Sequence, residues 1–249
     1  MIDYLPADFD PSGGVYGDDW ILLRVTEEDD YSVWTGKACP DLFQLVVSKR
    51  AERWELRVMD FLEYEGALKR YIMVAAELAD LAQAERAYQG HHHREACLRT
   101  DESPILVHTT DAAAYQGIVR DGCVKSWNRL HTGMDKPIGA LLGDPPDYRD
   151  YVMLGQGGYH QELVVLSRQV GRIVMDAETS YRPGARLYFD AAAIAADGLL
   201  VRDGAHVKVR DALPLEPYLL KAVTPETVGL TEVTTPRAFA EKADAMFGI

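Results

Sequence analysis

The residues best suited to chemistry in this 249-residue chain stand together at the end of a short apolar run. Ile105-Leu106-Val107 reads as a strand, and it delivers His108, Thr109 and Thr110: an imidazole that titrates near neutral pH and two hydroxyls. A histidine at a strand end reads equally well as a satisfied core residue, and the spacing alone does not separate the two readings.

The elements around His108 give it a setting. Asp111 is placed to cap a helix, because its carboxylate can accept the unsatisfied amides of a first turn. Ala113, Tyr115, Ile118 and Val119 then recur like one helix face, and Gly122 stands where a helix stops in a left-handed residue. The segment Asn128 to Arg149, rich in Gly and Pro, is too long for a structureless connection unless it has a function. Asp150 to Leu154 reads as a strand, Gly155 to His160 as a turn whose three glycines let backbone approach a ligand, and Glu162 to Ser167 as the next strand. Gly171 to Met175 alternates, and Ala191 to Ala196 reads as a helical turn.

This series resembles the ADP-ribosyltransferase fold, and within it the branch of the DNA-targeting toxins of DarT type and, more distantly, the RNA 2′-phosphotransferases. The residues that carry the resemblance are the His108-Thr109-Thr110 strand with its helix, Asp150-Tyr151-Val152, Pro183-Gly184-Ala185-Arg186-Leu187-Tyr188-Phe189-Asp190, Gly204 to Val209, and Leu213 to Tyr218. They run from about Ile105 to Val223. The resemblance implies NAD as co-substrate, bound by His108, Thr109, Thr110 and Tyr115, with Tyr151 or Tyr159 furnishing the nicotinamide-stacking surface. It implies a loop arginine that helps catalysis, for which Arg129 is the candidate, and a nucleic acid or nucleotide as acceptor. Catalysis is assigned to His206, Arg129 and Tyr151. The family's catalytic Glu falls on His206 here, and an imidazole supplies a base but not a fixed negative charge. Three alternatives follow: Glu162 or Glu216 reaches the site, the chemistry is altered toward NAD-using phosphate transfer, or the chain is an inactive binding module or a regulator.

The first hundred residues carry no catalytic motif. Trp20 to Val25 and Tyr31 to Thr35, then Leu42 to Val47 and Trp54 to Met59, read as paired strands, and about Gly66 to about Tyr88 as one amphipathic helix. Up to Ser103 there are 21 acids and 11 Lys or Arg, a net of −10, which leaves −3 of the chain's −13 for the rest. So acidic a segment is unsuited to gripping phosphates and fits an accessory role or a protein partner. His91-His92-His93 with Glu95 and Cys97 lacks a ligand pair at metal-binding spacing, so a polar linker and no metal is the expectation. Cys39, Cys97 and Cys123 are odd in number and far apart, as in reduced cytoplasmic proteins, and no apolar run suits a membrane span. The expected architecture is α+β: a small acidic β-rich domain closed by a long helix over 1–98, then an ADP-ribosyltransferase-like split β-sheet domain over 103–249.

Overall fold

Apolar runs of two kinds build the molecule: β-branched stretches buried on both faces, and stripes at helical spacing. The computed structural model describes residues 1–13, 20–28, 32–35, 42–89, 98–99, 102–130 and 144–249, the side chains of 32–35 excepted. Helices and strands are mixed throughout. The chain divides into two compact units, Met1–Glu95 with Gly139–Pro146 and Val201–Val207, and Ala96–Ile138 with Asp147–Leu200 and Lys208–Ile249.

The first unit holds β1 (Ile2–Leu5), β2 (Trp20–Thr26), β3 (Ser32–Thr35), β4 (Phe43–Ser48), α1 (Trp54–Ala67), β5 (Tyr71–Ala75) and α2 (Leu78–Gln89). Its sheet has the order β1-β5-β2-β4-β3. The first four of these lie parallel, and only β3 runs antiparallel, to β4. This corrects the expected meander of paired strands in three places. β2 and β3 are not neighbours, because β4 lies between them. Trp54 opens a helix rather than a strand: Trp54, Val58, Phe61 and Glu65 are buried at spacings of four, three and four, the helical stripe that a six-residue window hides behind alternation. The single helix expected from about Gly66 is broken by Lys69, at φ 60°, and by β5, whose Ile72-Met73-Val74 is buried between the parallel neighbours β1 and β2. The turn at 201–207 also belongs to this unit. Gly204, at φ +79°, presses against α1 so closely that a Cβ there would lie 2.3 Å from the Arg57 carbonyl oxygen.

The second unit holds β6 (Ile105–Thr110), α3 (Ala112–Asp121), β7 (Cys123–Lys125), α4 (Trp127–Leu130), β8 (Tyr151–Leu154), α5 (His160–Val170), β9 (Ala185–Asp190), α6 (Ala191–Ala196), β10 (Leu200–Arg202, its last two residues in the first unit), β11 (Val207–Arg210, from Lys208 on), β12 (Ala212–Pro214), β13 (Leu219–Val223) and α7 (Pro236–Asp244). An antiparallel sheet of order β13-β9-β6 is joined to the end of β8 by one bridge, Val107 to Gly155, and β12 pairs with β7. α5 and α7 cover one side, where Val107, Tyr188, Val223, Phe239 and Ala243 meet. Asp111 caps α3 by accepting from the Ala114 N–H at 2.8 Å, and Gly122 ends it at φ 67°, both as expected. The expected apolar face of α3 is mostly open, with Ile118 buried but Val119 56% exposed. Glu162 to Ser167 is helix, not strand: Glu162, Leu163, Val165, Leu166 and Ser167 face inward at helical spacing. Gly171 to Met175 forms no strand; Val174 is instead tied to the α5 residue Ser167.

Candidate functional site

Strand alternation sorts the three polar residues of β6 onto two faces. His108 is half-buried, and its Nδ1 lies 3.1 Å from the carbonyl oxygen of Met153 on β8. A carbonyl can only accept, so Nδ1 carries the proton and the neutral ring offers Nε2 as an acceptor. Burial holds this imidazole below the ordinary histidine range; the Met153 bond works the other way, and the positive charge of Arg168 on α5 adds to the lowering. His108 is therefore neutral at pH 7. Arg168 is exposed and lies over the indole of Trp127 on α4, its Cζ 5.5 Å from the ring centroid. A hydrogen-bond acceptor, a guanidinium and an aromatic face thus come from β6, α5 and α4 of the same unit. Such a set can accept a ligand hydroxyl and pair with an anion.

Thr109 points the opposite way. Its hydroxyl donates to Glu162 in a buried network on the far side of the sheet, so it serves the core rather than the surface that His108 faces. Thr110 is buried, and its carbonyl accepts the Gly184 N–H at 2.8 Å. Gly184 is packed against the start of α3: a Cβ there would lie 2.1 Å from the Asp111 carbonyl carbon. The Pro183-Gly184 segment therefore fixes the angle between β6 and α3. Tyr115 is half-buried on α3.

Tyr151 leaves β8 on the same face as Met153. Its ring lies 4.7 Å from Lys208 Nζ, which also sits 4.0 Å from the ring centroid of Tyr148. Lys208 is fully buried on β11, so this cation–π contact holds both rings in a desolvated setting, where such contacts are strongest. Tyr159 stands at the N-terminus of α5, stacked on His160 at 4.9 Å with the Arg237 guanidinium 4.7 Å over its ring. Those contacts turn it toward α7. Arg129 pairs with Asp211 at an exposed position on α4, and Asp211 in turn binds the backbone at Ser126 and Asp150. His206 belongs to the first unit, in a tight turn where the Asp203 carboxylate accepts the backbone N–H of Ala205 at 2.9 Å and of His206 at 2.5 Å.

Neither acid named as a stand-in for the family's Glu is poised for catalysis. Glu216 is exposed beside Pro217. Glu162 is fully buried and saturated: Thr109 and Arg186 donate to one carboxylate oxygen and the Tyr181 hydroxyl to the other. Arg186 is itself fully buried and also binds Asp244 of α7 at 2.6 Å, while the Tyr188 hydroxyl donates to Asp244 at 2.8 Å. Burial opposes the charge on Arg186, but Glu162, Tyr188 and Asp244 outweigh it and hold the guanidinium protonated. Burial and the Glu162 charge push the Tyr181 phenol far above its usual value, so it stays a donor.

Sequence reasoning passed over Arg168, Trp127, Lys208 and the Arg186–Asp244 pair. Two of them had a signal: Lys208 in Val-Lys-Val and Arg186 in Ala-Arg-Leu-Tyr-Phe are single charges inside apolar strands, which the interior tolerates only when partnered. The triplet His91 to His93, with Glu95, Cys97 and Cys39, lies outside the described residues, and no group of three potential metal ligands occurs among those described. No described helix is long and apolar enough to cross a membrane. Compared with known proteins, the chain matches no family model, no curated protein and no solved structure.

Proposed function

We propose that the second unit binds NAD and that the chain transfers ADP-ribose from it to a nucleic acid or nucleotide. The reading rests on the resemblance of the Ile105–Val223 motifs to the DarT-type branch of the ADP-ribosyltransferase fold. The observation that carries it is His108, neutral, with Nδ1 committed to Met153 and Nε2 left to accept a ribose hydroxyl. Arg168 supplies the charge that a pyrophosphate needs, and Tyr151 a ring held by Lys208 against which a nicotinamide can rest. NAD brings the labile nicotinamide–ribose bond. The second unit's own residues orient it, and by the resemblance the sequence position of the family's catalytic Glu is filled by His206.

Titration calorimetry with NAD, paired with an assay for released nicotinamide, tests this. His108→Ala should weaken NAD binding by roughly 5- to 150-fold, the cost of leaving a buried partner unpaired. His206→Ala should stop nicotinamide release while leaving NAD affinity within a few-fold, the pattern of a residue needed mainly in the transition state. Absence of NAD binding by the unaltered chain would sink the reading. The saturation of Glu162 favours a second reading, a nucleotide-binding module without transferase activity. It expects NAD binding with no nicotinamide release.

A further inference from the structure

We propose that Asp244 is a positioning residue for His108: it latches the Gly155–Gly158 turn to α7 and, through that turn, keeps the Met153 carbonyl on the imidazole. The functional weight of the latch rests on the NAD reading, but the coupling itself is readable without any ligand.

The two oxygens of the Asp244 carboxylate do different work. Oδ1 accepts from Arg186 at 2.6 Å and from the Tyr188 hydroxyl at 2.8 Å, which fixes α7 to β9. Oδ2 accepts the backbone N–H of Gly158 at 2.8 Å. The Gly158 carbonyl is held as well, by Arg186 Nη1 at 3.3 Å. Both polar groups of one turn residue are thus bound by one ion pair. The turn needs this hold, because Gly157 and Gly158 stand at φ +106° and +73° and glycine has little preference for any one conformation.

At its other end the same turn reaches the site. Gly155 exchanges both hydrogen bonds with Val107, N–H to carbonyl at 2.9 Å and carbonyl to N–H at 2.8 Å. Val107 immediately precedes His108, and Gly155 follows Met153 by two residues. The His108–Met153 bond therefore lies beside the bridge that the turn closes. Loosening Gly158 frees Gly155 next, and Met153 with it. A neutral imidazole released from its acceptor at Nδ1 no longer has its proton fixed there.

Asp244→Asn isolates the latch. An asparagine must aim its oxygen at Arg186 and Tyr188, which are both donors, so its NH2 group meets the Gly158 N–H, donor to donor. Arg186 keeps a hydrogen bond to the side chain, no longer an ion pair, and still has Glu162 as counter-charge, while the turn loses its Asp244 acceptor. Phe247→Ala is the structural control. It removes the ring stacked 4.1 Å from Tyr188, three residues past the end of α7, and leaves the Asp244 carboxylate in place. Amide exchange and the ring-nitrogen spectrum of His108 are then followed by NMR beside thermal unfolding. Asp244→Asn should speed exchange at Gly158 and Gly155 by about tenfold, the scale of one lost hydrogen bond, and move the His108 proton from Nδ1 toward Nε2. Phe247→Ala should lower the melting temperature while His108 keeps its Nδ1–H. The idea is overturned if Asp244→Asn leaves the His108 proton on Nδ1, or if Phe247→Ala moves it equally. Should Asp244→Asn not fold, native-state exchange in the unaltered protein decides. The Gly158 and Gly155 amides and the His108 ring proton should open together with α7, and independent openings would refute the latch. Because none of these measurements contains a nucleotide, failure to bind NAD bears on the proposed function alone.

Discussion

His108 shows how one residue's environment sets both its chemistry and its effect on stability. Because burial holds its folded pKa below the unfolded value of 6.5, the folded state favours the neutral ring. Between the two values the unfolded chain binds a proton that the folded chain does not, so stability is complete above pH 6.5 and falls as the pH drops toward the folded value. Urea unfolding between pH 8 and 5 should show that decline, and His108→Gln, which can still donate to Met153, should flatten it. A decline of equal slope in the variant would place its origin elsewhere. The place of His108 after an apolar run was legible in the sequence, although β6 continues past it to Thr110. Its tautomer was not, because the partner is a backbone carbonyl 45 positions away, and a carbonyl leaves no mark on residue type. The same limit hid the contrast with Thr109, which alternation puts on the opposite face but whose partner, Glu162, read as part of a strand.

Among the elements, those with local signals were found and those defined by distant neighbours were not. α3 announces itself through its Asp111 cap and Gly122 stop, and α6 through its alanines and the Asp190 carboxylate that accepts from the Ala193 N–H. β5 and α1 misled because a buried parallel strand and a helix can show the same apolar residues over six positions. Only the sheet order settles which is which. The β6–α3 corner depends on a residue with no side chain. Gly184→Ala places a methyl carbon on the Asp111 backbone, which cannot move without dragging the helix cap with it. It should cost about 1–3 kcal/mol or more in urea unfolding, and it should weaken NAD binding if that corner shapes the site. A loss under half of that would mean that the corner yields freely and that Gly184 is not what sets its angle.

At the scale of the whole molecule, the division of the chain departs from a cut near residue 100. The first unit recruits Gly139–Pro146 and Val201–Val207 from later in the sequence, so the chain passes from one unit to the other five times. A fragment that begins at Ser103 keeps β6 to α7 but strips the 201–207 turn of α1, on which Gly204 rests. Limited proteolysis should cut this fragment within 201–207 and leave the same stretch intact in the full chain. Equal resistance in both would show that the turn is held without α1. No composition shift near residue 200 marks this excursion; an Asp-Gly turn reads as an ordinary hairpin tip, and only its close approach to Arg57 and Phe61 gives it away.

That turn also places a clock on biosynthesis. The first unit's main segment is complete when residue 95 has been made, yet its last segment ends at residue 207, and 207 − 95 is 112 residues later. At about 5–20 residues per second, the ribosome leaves the α1 surface at Arg57 and Phe61 without its covering turn for roughly 6–22 s. The unit whose main segment is translated first is therefore not complete until residue 207, deep into the second unit's own synthesis. The α1 face beneath Gly204 stays uncovered until most of the second unit has already been translated.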